Sequence, residues 1–222
     1  GSTNMRFIEK ALTGVALGSL PPLAGFIAGW WGAYAFLPER SIPPAALSGF
    51  IAGLLVDLVF LGRWVSRAYT FRWRVWIAVY MFYTVGLFGF FMGVPVFNLA
   101  LVIPAGCFIG ARLARQGAGW EQVRRTAHKA CLFTTGVLAV VCALSAVLAW
   151  FDPYTGANLE GMFHLPFEVS RAMLAGLIGG GGVTLLLLGW GLTAQAVRLA
   201  YRLTRAAGDL PEAAVAARSN SA

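Results

Sequence analysis

Few side chains in this sequence could do chemistry, and the first is Asp57, the one acidic residue inside a long apolar run, LSGFIAGLLVDLVFLG. A carboxylate at membrane depth costs about 2.5 to 3.5 kcal/mol on insertion scales unless it is paired or wetted. Two readings follow. Either Asp57 pairs with a basic residue, Arg63, Arg67 or Arg112, or it is a protonatable or substrate-binding group.

A second concentration of polar groups is DPYTGANLEGMFHLPFEVSR, from Asp152 to Arg171, which carries Asp152, Asn158, Glu160, His164 and Glu168 among the turn residues Pro153, Gly156, Gly161 and Pro166. It reads as a solvated outer loop or as a lid over the mouth of a cavity. No Ser/His/Asp grouping, HExxH helix, phosphate-cradling loop or intramembrane carboxylate pair occurs. The expectation is therefore a protein that is not an enzyme. His128 and His164 lack a second ligand at metal spacing, and Cys107, Cys131 and Cys142 show no CxxC pattern. Neither a metal nor a cofactor is expected, and the thiols are read as free and buried.

These groups must be positioned by elements built for lipid. The chain is 59% hydrophobic and 12% charged, against about 25% charged residues in ordinary soluble domains, and its mean hydropathy is +0.72. Gly1 to Asn4 precede Met5 and read as a cloning remnant; residues 5–205 read as one membrane domain, and residues 206–222 as a disordered cytoplasmic tail. Runs long enough to cross a core of about 30 Å lie at Leu12 to Phe36, Pro43 to Leu61, Val75 to Met92, Val94 to Ala111, Ala130 to Phe151 and Ala172 to Val197. The predicted class is all-α, with six transmembrane helices.

Direction follows from the basic residues, which are retained on the cytoplasmic side. With both termini inside, Arg6 and Lys10, the Arg63 to Arg74 group, the Arg112 to Lys129 group and the arginines from Arg198 onward all face the cytoplasm, leaving Arg40 and Arg171 outside. The net charge of +8 is thereby a topology signal and a source of contacts to anionic headgroups. Nucleic-acid binding is excluded as a reading. The location implied is an integral membrane protein of a prokaryotic cytoplasmic membrane. The stretch from Arg115 to Lys129 sets Trp120, Val123 and Ala127 on one helical face beside Arg124 and Arg125, an interfacial pattern.

Glycine supplies the remaining signal. GFIAG occurs at Gly25 to Gly29 and again at Gly49 to Gly53. On antiparallel neighbours joined by the short Leu37 to Ile42 loop, both copies fall roughly 14 Å below the outer surface at about 1.5 Å per residue. Gly25, Gly29, Gly49 and Gly53 are therefore predicted to let two backbones approach. In the last span Gly179, Gly180, Gly181 and Gly182 are consecutive, and Pro21, Pro22 and Pro104 delete backbone donors. Together these suggest a gap between helices, walled by Trp30, Trp31, Tyr34, Tyr80, Tyr83, Phe90 and Asn98 and reaching Asp57 and the Gly179 to Gly181 run. Asn98 is read as capping the Pro95 turn or bonding across helices; Thr84, Thr134, Thr135 and Thr184 are read as bonding their own i−4 carbonyls.

The expected function is binding of an apolar or amphipathic small molecule within the helix bundle, as a transporter or the substrate-binding subunit of one. The alternative is a lipid-responsive scaffold or regulatory subunit that docks another membrane protein, or a second copy of itself, through its glycine faces.

Overall fold

Proline and glycine set where the helices begin and end. Pro21 and Pro22 stand at the second and third positions of α1 (Leu20–Phe36), and Pro43 and Pro44 do the same in α2 (Ile42–Arg67). There the missing N–H is one that no carbonyl within the helix needs. Pro104 likewise lies in the first turn of α5 (Val102–Arg115). Gly93 and Gly117 take positive φ, at 80° and 65°, in the turns before α4 (Val96–Leu99) and α6 (Trp120–Phe151). The remaining helices are α3 (Trp73–Phe90), α7 (Thr155–Phe163) and α8 (Arg171–Ser219).

The computed structural model describes residue 11 and residues 13–91, 93–164 and 166–219, with backbone alone for 162–163 and 208–219. The described residues are helices and turns, with no strand. Five helical stretches are long and apolar enough to cross a membrane: Glu39–Thr70, Trp73–Phe90, Pro95–Arg115, Trp120–Phe151 and Arg171–Ala207. That is the make-up of a membrane protein.

The differences from the sequence reading have local causes. Within Leu12 to Phe36 the helical hydrogen-bond ladder is interrupted at Ser19, a turn between helical residues 13–18 and α1, because Pro21 and Pro22 lack an N–H, while Ser19 itself keeps right-handed helical angles. With 17 residues, α1 rises only roughly 25 Å at 1.5 Å per residue. The fourth expected span starts with the four-residue α4 and a turn at Ala100 and Leu101 before α5. The basic stretch after Arg115 is no separate interfacial helix, because from Trp120 it continues unbroken into α6. Part of the Asp152 to Arg171 connection, expected outside, winds into α7, and the α8 backbone stays helical through residues 206–219, read from sequence as a tail. Residues 1–10 and 220–222 lie outside those described.

The chain, expected as one membrane domain, divides into two compact units, with the division between Val79 and Tyr80. In the first, α1 and α2 are antiparallel and touch backbone to backbone. A Cβ on Gly25 would land on the Gly49 carbonyl oxygen, and one on Gly49 would land on that of Gly25. Gly29 meets Ala45 in the same way, and Gly53 meets Pro21 and Pro22. Each step of four along α1 is a step of four back along α2, so the two helices meet through small residues, but one turn away from the equal-depth pairing of the motifs: Gly25 faces Gly49, while Gly29 faces Ala45 and Gly53 faces Pro21. Beyond Ser19, Gly18 continues it against Leu61, whose Cδ1 lies 3.2 Å from the position of a Cβ.

In the second unit α5 lies along α8: Gly106 faces Thr193 and Ala196, and Gly110 faces Val197 and Tyr201. Both numbers rise together, so the two helices are parallel. α6 runs against α8, with Thr134 Oγ1 3.0 Å from Thr193 Oγ1 and the Cys131 thiol 3.6 Å from the Trp190 carbonyl. One end of this unit holds a close-packed core of Leu113, Ala118, Val123, Ala127, Val197 and Tyr201.

Candidate functional site

Helical spacing puts Gly53, Asp57 and Leu61 on one face of α2. Gly53 is against Pro21 and Pro22, and Leu61 is against Gly18. Asp57 thus faces the break between helix 13–18 and α1. It is 8% exposed, and its Oδ1 is buried with no hydrogen-bond partner among the described residues. Arg63 and Arg67, two of its three expected partners, make no ion pair with it; Arg112, the third, belongs to the second unit.

In the second unit the polar centre is Asn98. The turn opened by Gly93 and Pro95 sets α4 so that Asn98, 3% exposed, donates from Nδ2 to the Thr84 carbonyl of α3 at 2.9 Å. Of the two roles expected for Asn98, bonding across helices is the one present. Asn98 Oδ1 and Thr84 Oγ1 are both buried without a hydrogen-bond partner. One is an acceptor, the other a donor as well as an acceptor. Aromatic pairs occur nearby in sequence: Tyr80 packs on Phe133 with centroids 5.5 Å apart, and Phe91 stacks on Phe97. Tyr83 is half-buried, edge-on to Phe82.

Thr134 and Thr184 bond their i−4 carbonyls, at 3.0 Å and 2.8 Å. Thr84 and Thr135 depart from that expectation, their hydroxyls being buried without a partner.

The residues expected to wall one cavity are divided between the units. Asp57, Trp30, Trp31 and Tyr34 belong to the first, and Tyr80, Tyr83, Phe90, Asn98 and Gly179 to Gly181 belong to the second. Trp31 and Tyr34 are 62% and 64% exposed, pointing away from the α1–α2 contact. Around Gly179, Gly180, Gly181 and Gly182 nothing lies within 4 Å of where a Cβ would stand.

The residues of the Asp152 to Arg171 connection serve the local fold. Asp152 accepts from the Tyr154 N–H and the Thr155 hydroxyl at the start of α7. Glu160 accepts from the Val169 N–H at 2.6 Å, and His164, with φ at 51°, closes α7 in the left-handed conformation.

One feature carried no sequence signal beyond the Gly117-Ala118-Gly119 turn. Tyr201 is buried and donates to the Ala118 carbonyl, Arg205 donates to the Tyr201 hydroxyl at 2.9 Å, and the Arg202 guanidinium sits 5.7 Å over Trp120. These four side chains and Ala206 line an open depression of ≈ 340 Å³. The pattern shows aromatic and basic types in this region but not that α6 and α8 bring them together. No group of three or more metal-ligating side chains occurs among the described residues. Compared with known proteins, the chain matches no family model, no curated protein and no solved structure.

Proposed function

We propose that this chain is a six-span protein of a prokaryotic cytoplasmic membrane, with both termini inside, that binds an apolar or amphipathic small molecule among its helices as a transporter or the substrate-binding subunit of one. The reading of binding or transport, rather than catalysis, is carried by Asn98 and Thr84. A buried polar atom left unpaired costs about 1 to 3 kcal/mol, and here two such atoms, Asn98 Oδ1 and Thr84 Oγ1, belong to residues that the Asn98 Nδ2 bond to the Thr84 carbonyl joins across α4 and α3. An amphipathic ligand with one hydrogen-bonding group would satisfy them while its apolar body lies among the helices. A sixth span is supported by residues 13–36: taken together, they are long enough to cross despite the turn at Ser19.

The test of the site is mass spectrometry of small molecules that co-purify with the chain and with Asn98→Leu. A species bound by the parent and lost from the variant is the expected result; equal recovery from both removes Asn98 from the ligand site. Sidedness is read by single cysteines at Ser66 and Asn158. Only position 158 should react with an impermeant thiol reagent from outside, and reaction at position 66 reverses the orientation.

The rival reading, a scaffold or regulatory subunit docking another membrane protein or a second copy, is favoured by one observation. Among the described residues, nothing stands within 4 Å of a Cβ placed on Gly179 to Gly182 of α8. Stable co-purification of a membrane partner with no bound small molecule would favour it.

A further inference from the structure

We propose that Asp57 and the backbone carbonyls of Leu17 and Gly18 form a binding site for a monovalent cation. The argument lies wholly within the first unit and does not rest on the ligand site at Asn98.

It begins with what the prolines remove. In an unbroken helix the carbonyls of Leu17 and Gly18 would accept from the N–H groups four residues on, at positions 21 and 22. Both are proline and have no N–H. Helix 13–18 therefore ends on carbonyls without their helical donors, at the negative pole of a helix terminus. The same prolines strip the start of α1, where a carboxylate normally finds N–H groups to accept from. The first α1 N–H after them, that of Leu23, is given to the Ser19 carbonyl at 3.2 Å. The Ser19 hydroxyl is also committed, donating to the Val15 carbonyl at 2.6 Å.

Asp57 is set against this donor-poor break. The Gly53 contact with Pro21 and Pro22 brackets it on one side and the Leu61 contact with Gly18 on the other. A helical side chain leans toward its helix N-terminus, which carries the carboxyl group from Asp57 back toward the Gly53 level and the break. Asp57 is itself 8% exposed, and Leu17 and Pro22 at its level are buried, so bulk water does not supply the missing partner. Described charges in this unit are confined to the ends of the pair, Glu39 and Arg40 at one and the arginines from Arg63 onward at the other, and none pairs with Asp57. A buried carboxylate set at the level of carbonyls that lack their helical donors, with no hydrogen-bond donor or cation paired to it among the described residues, is the arrangement a hard cation satisfies. Carbonyls freed at a helix interruption are a recurrent source of sodium ligands in membrane proteins. One carboxylate balances one positive charge, which selects a monovalent ion over calcium or magnesium.

The experiment uses the full chain purified in detergent at one fixed pH. Melting temperature is measured in sodium chloride, potassium chloride and choline chloride at matched ionic strength, and radiolabelled sodium binding is measured by scintillation proximity. The expected result is saturable sodium binding and a higher melting temperature in sodium than in choline, both lost in Asp57→Asn. Pro22→Ala restores an N–H to the Gly18 carbonyl and should raise the half-saturating sodium concentration severalfold while Asp57 is intact. Direct binding on the parent chain decides the matter even where Asp57→Asn does not fold. Identical melting in all three salts with no saturable sodium binding overturns the site. A stability gain on acidification in choline, abolished by Asp57→Asn with sodium without effect, also overturns it, because a proton then occupies the place assigned to the cation.

Discussion

The glycines of α1 and α2 and those in the N-terminal half of α8 look alike in sequence and have opposite surroundings. Gly25 and Gly49 each sit against the other's carbonyl, leaving no space for a Cβ, whereas Gly176 and Gly179 to Gly182 have nothing within 4 Å of theirs. A glycine within a helix costs about 1 kcal/mol relative to alanine wherever it stands. Between α1 and α2 that cost is offset by the dispersion contacts of two backbones in close approach. Along Gly179 to Gly182 of α8 nothing among the described residues offsets it. The difference is one of partner: small-residue spacing becomes a contact only where a second helix presents small residues at the same depth. The two GFIAG copies do so because a short loop turns one antiparallel to the other.

A single substitution type, glycine to alanine, measures this difference as a graded series. The largest effect is expected at Gly49, where the new methyl would overlap the Gly25 carbonyl oxygen, an atom held by two packed helices. Overpacking of this kind costs about 1 to 3 kcal/mol. Gly49→Ala should lower the melting temperature in detergent, and Gly25→Leu or Gly49→Leu should lower it further. Unchanged melting in all three would remove the α1–α2 contact as drawn.

Gly106 is the intermediate case. Its Cβ would stand 2.7 Å from the Ala196 Cβ and 3.0 Å from the Thr193 carbonyl oxygen. A methyl against a methyl can be relieved by a small shift of α5 along α8, and the helix-propensity gain of about 1 kcal/mol works in the other direction. Gly106→Ala is therefore expected to destabilise by less than Gly49→Ala, and Gly110→Ala, which meets the Val197 carbonyl, by more than Gly106→Ala. Reversal of the order between Gly106 and Gly110 would show that the register of α5 on α8 differs from the one described.

The α1–α2 contact was legible in the sequence as two small-residue motifs on neighbouring helices, but its register was not, since Gly25 meets Gly49 and Gly53 meets Pro21 rather than the two motifs lying level. Asp57 was legible as an unusual residue, but its surroundings were not, since the turn at Ser19 depends on how two prolines follow a helix that could equally have continued. The cavity expected around Trp30, Trp31, Tyr34 and the α8 glycines was the least legible element. In water the apolar face of a helix marks the core, but in lipid nearly every face is apolar and the pattern no longer says which side meets protein. In the candidate-span window of α8 only 6% of residues are buried, against 39% in that of Pro95–Arg115, although both are strongly apolar. Asn98 was recoverable in part: a lone amide near Pro95 has few uses, and bonding across helices was among those foreseen, though its partner, the Thr84 carbonyl, was not.

The smallest effect, and the one of opposite sign, is expected at Gly180. No atom of the described residues opposes a methyl there, so Gly180→Ala should raise stability by up to about 1 kcal/mol through helix propensity alone. The Thr184 hydroxyl, which donates to the Gly180 carbonyl at 2.8 Å, is unaffected because the substitution leaves the backbone oxygen in place. The sign carries the information. A gain in melting temperature for the isolated chain shows that the glycine run is not a packing surface within one copy. If the chain associates through this strip, with itself or with another membrane protein, the methyl will weaken that association even as it stabilises the single chain. Stability should therefore be read alongside the size of the detergent-solubilised particle for parent and variant. Higher stability with unchanged size favours a lipid-facing strip, whereas higher stability with a smaller particle assigns the run to an interface. Lower stability at unchanged size would contradict the open surroundings of Gly180 and bring another part of the chain against α8.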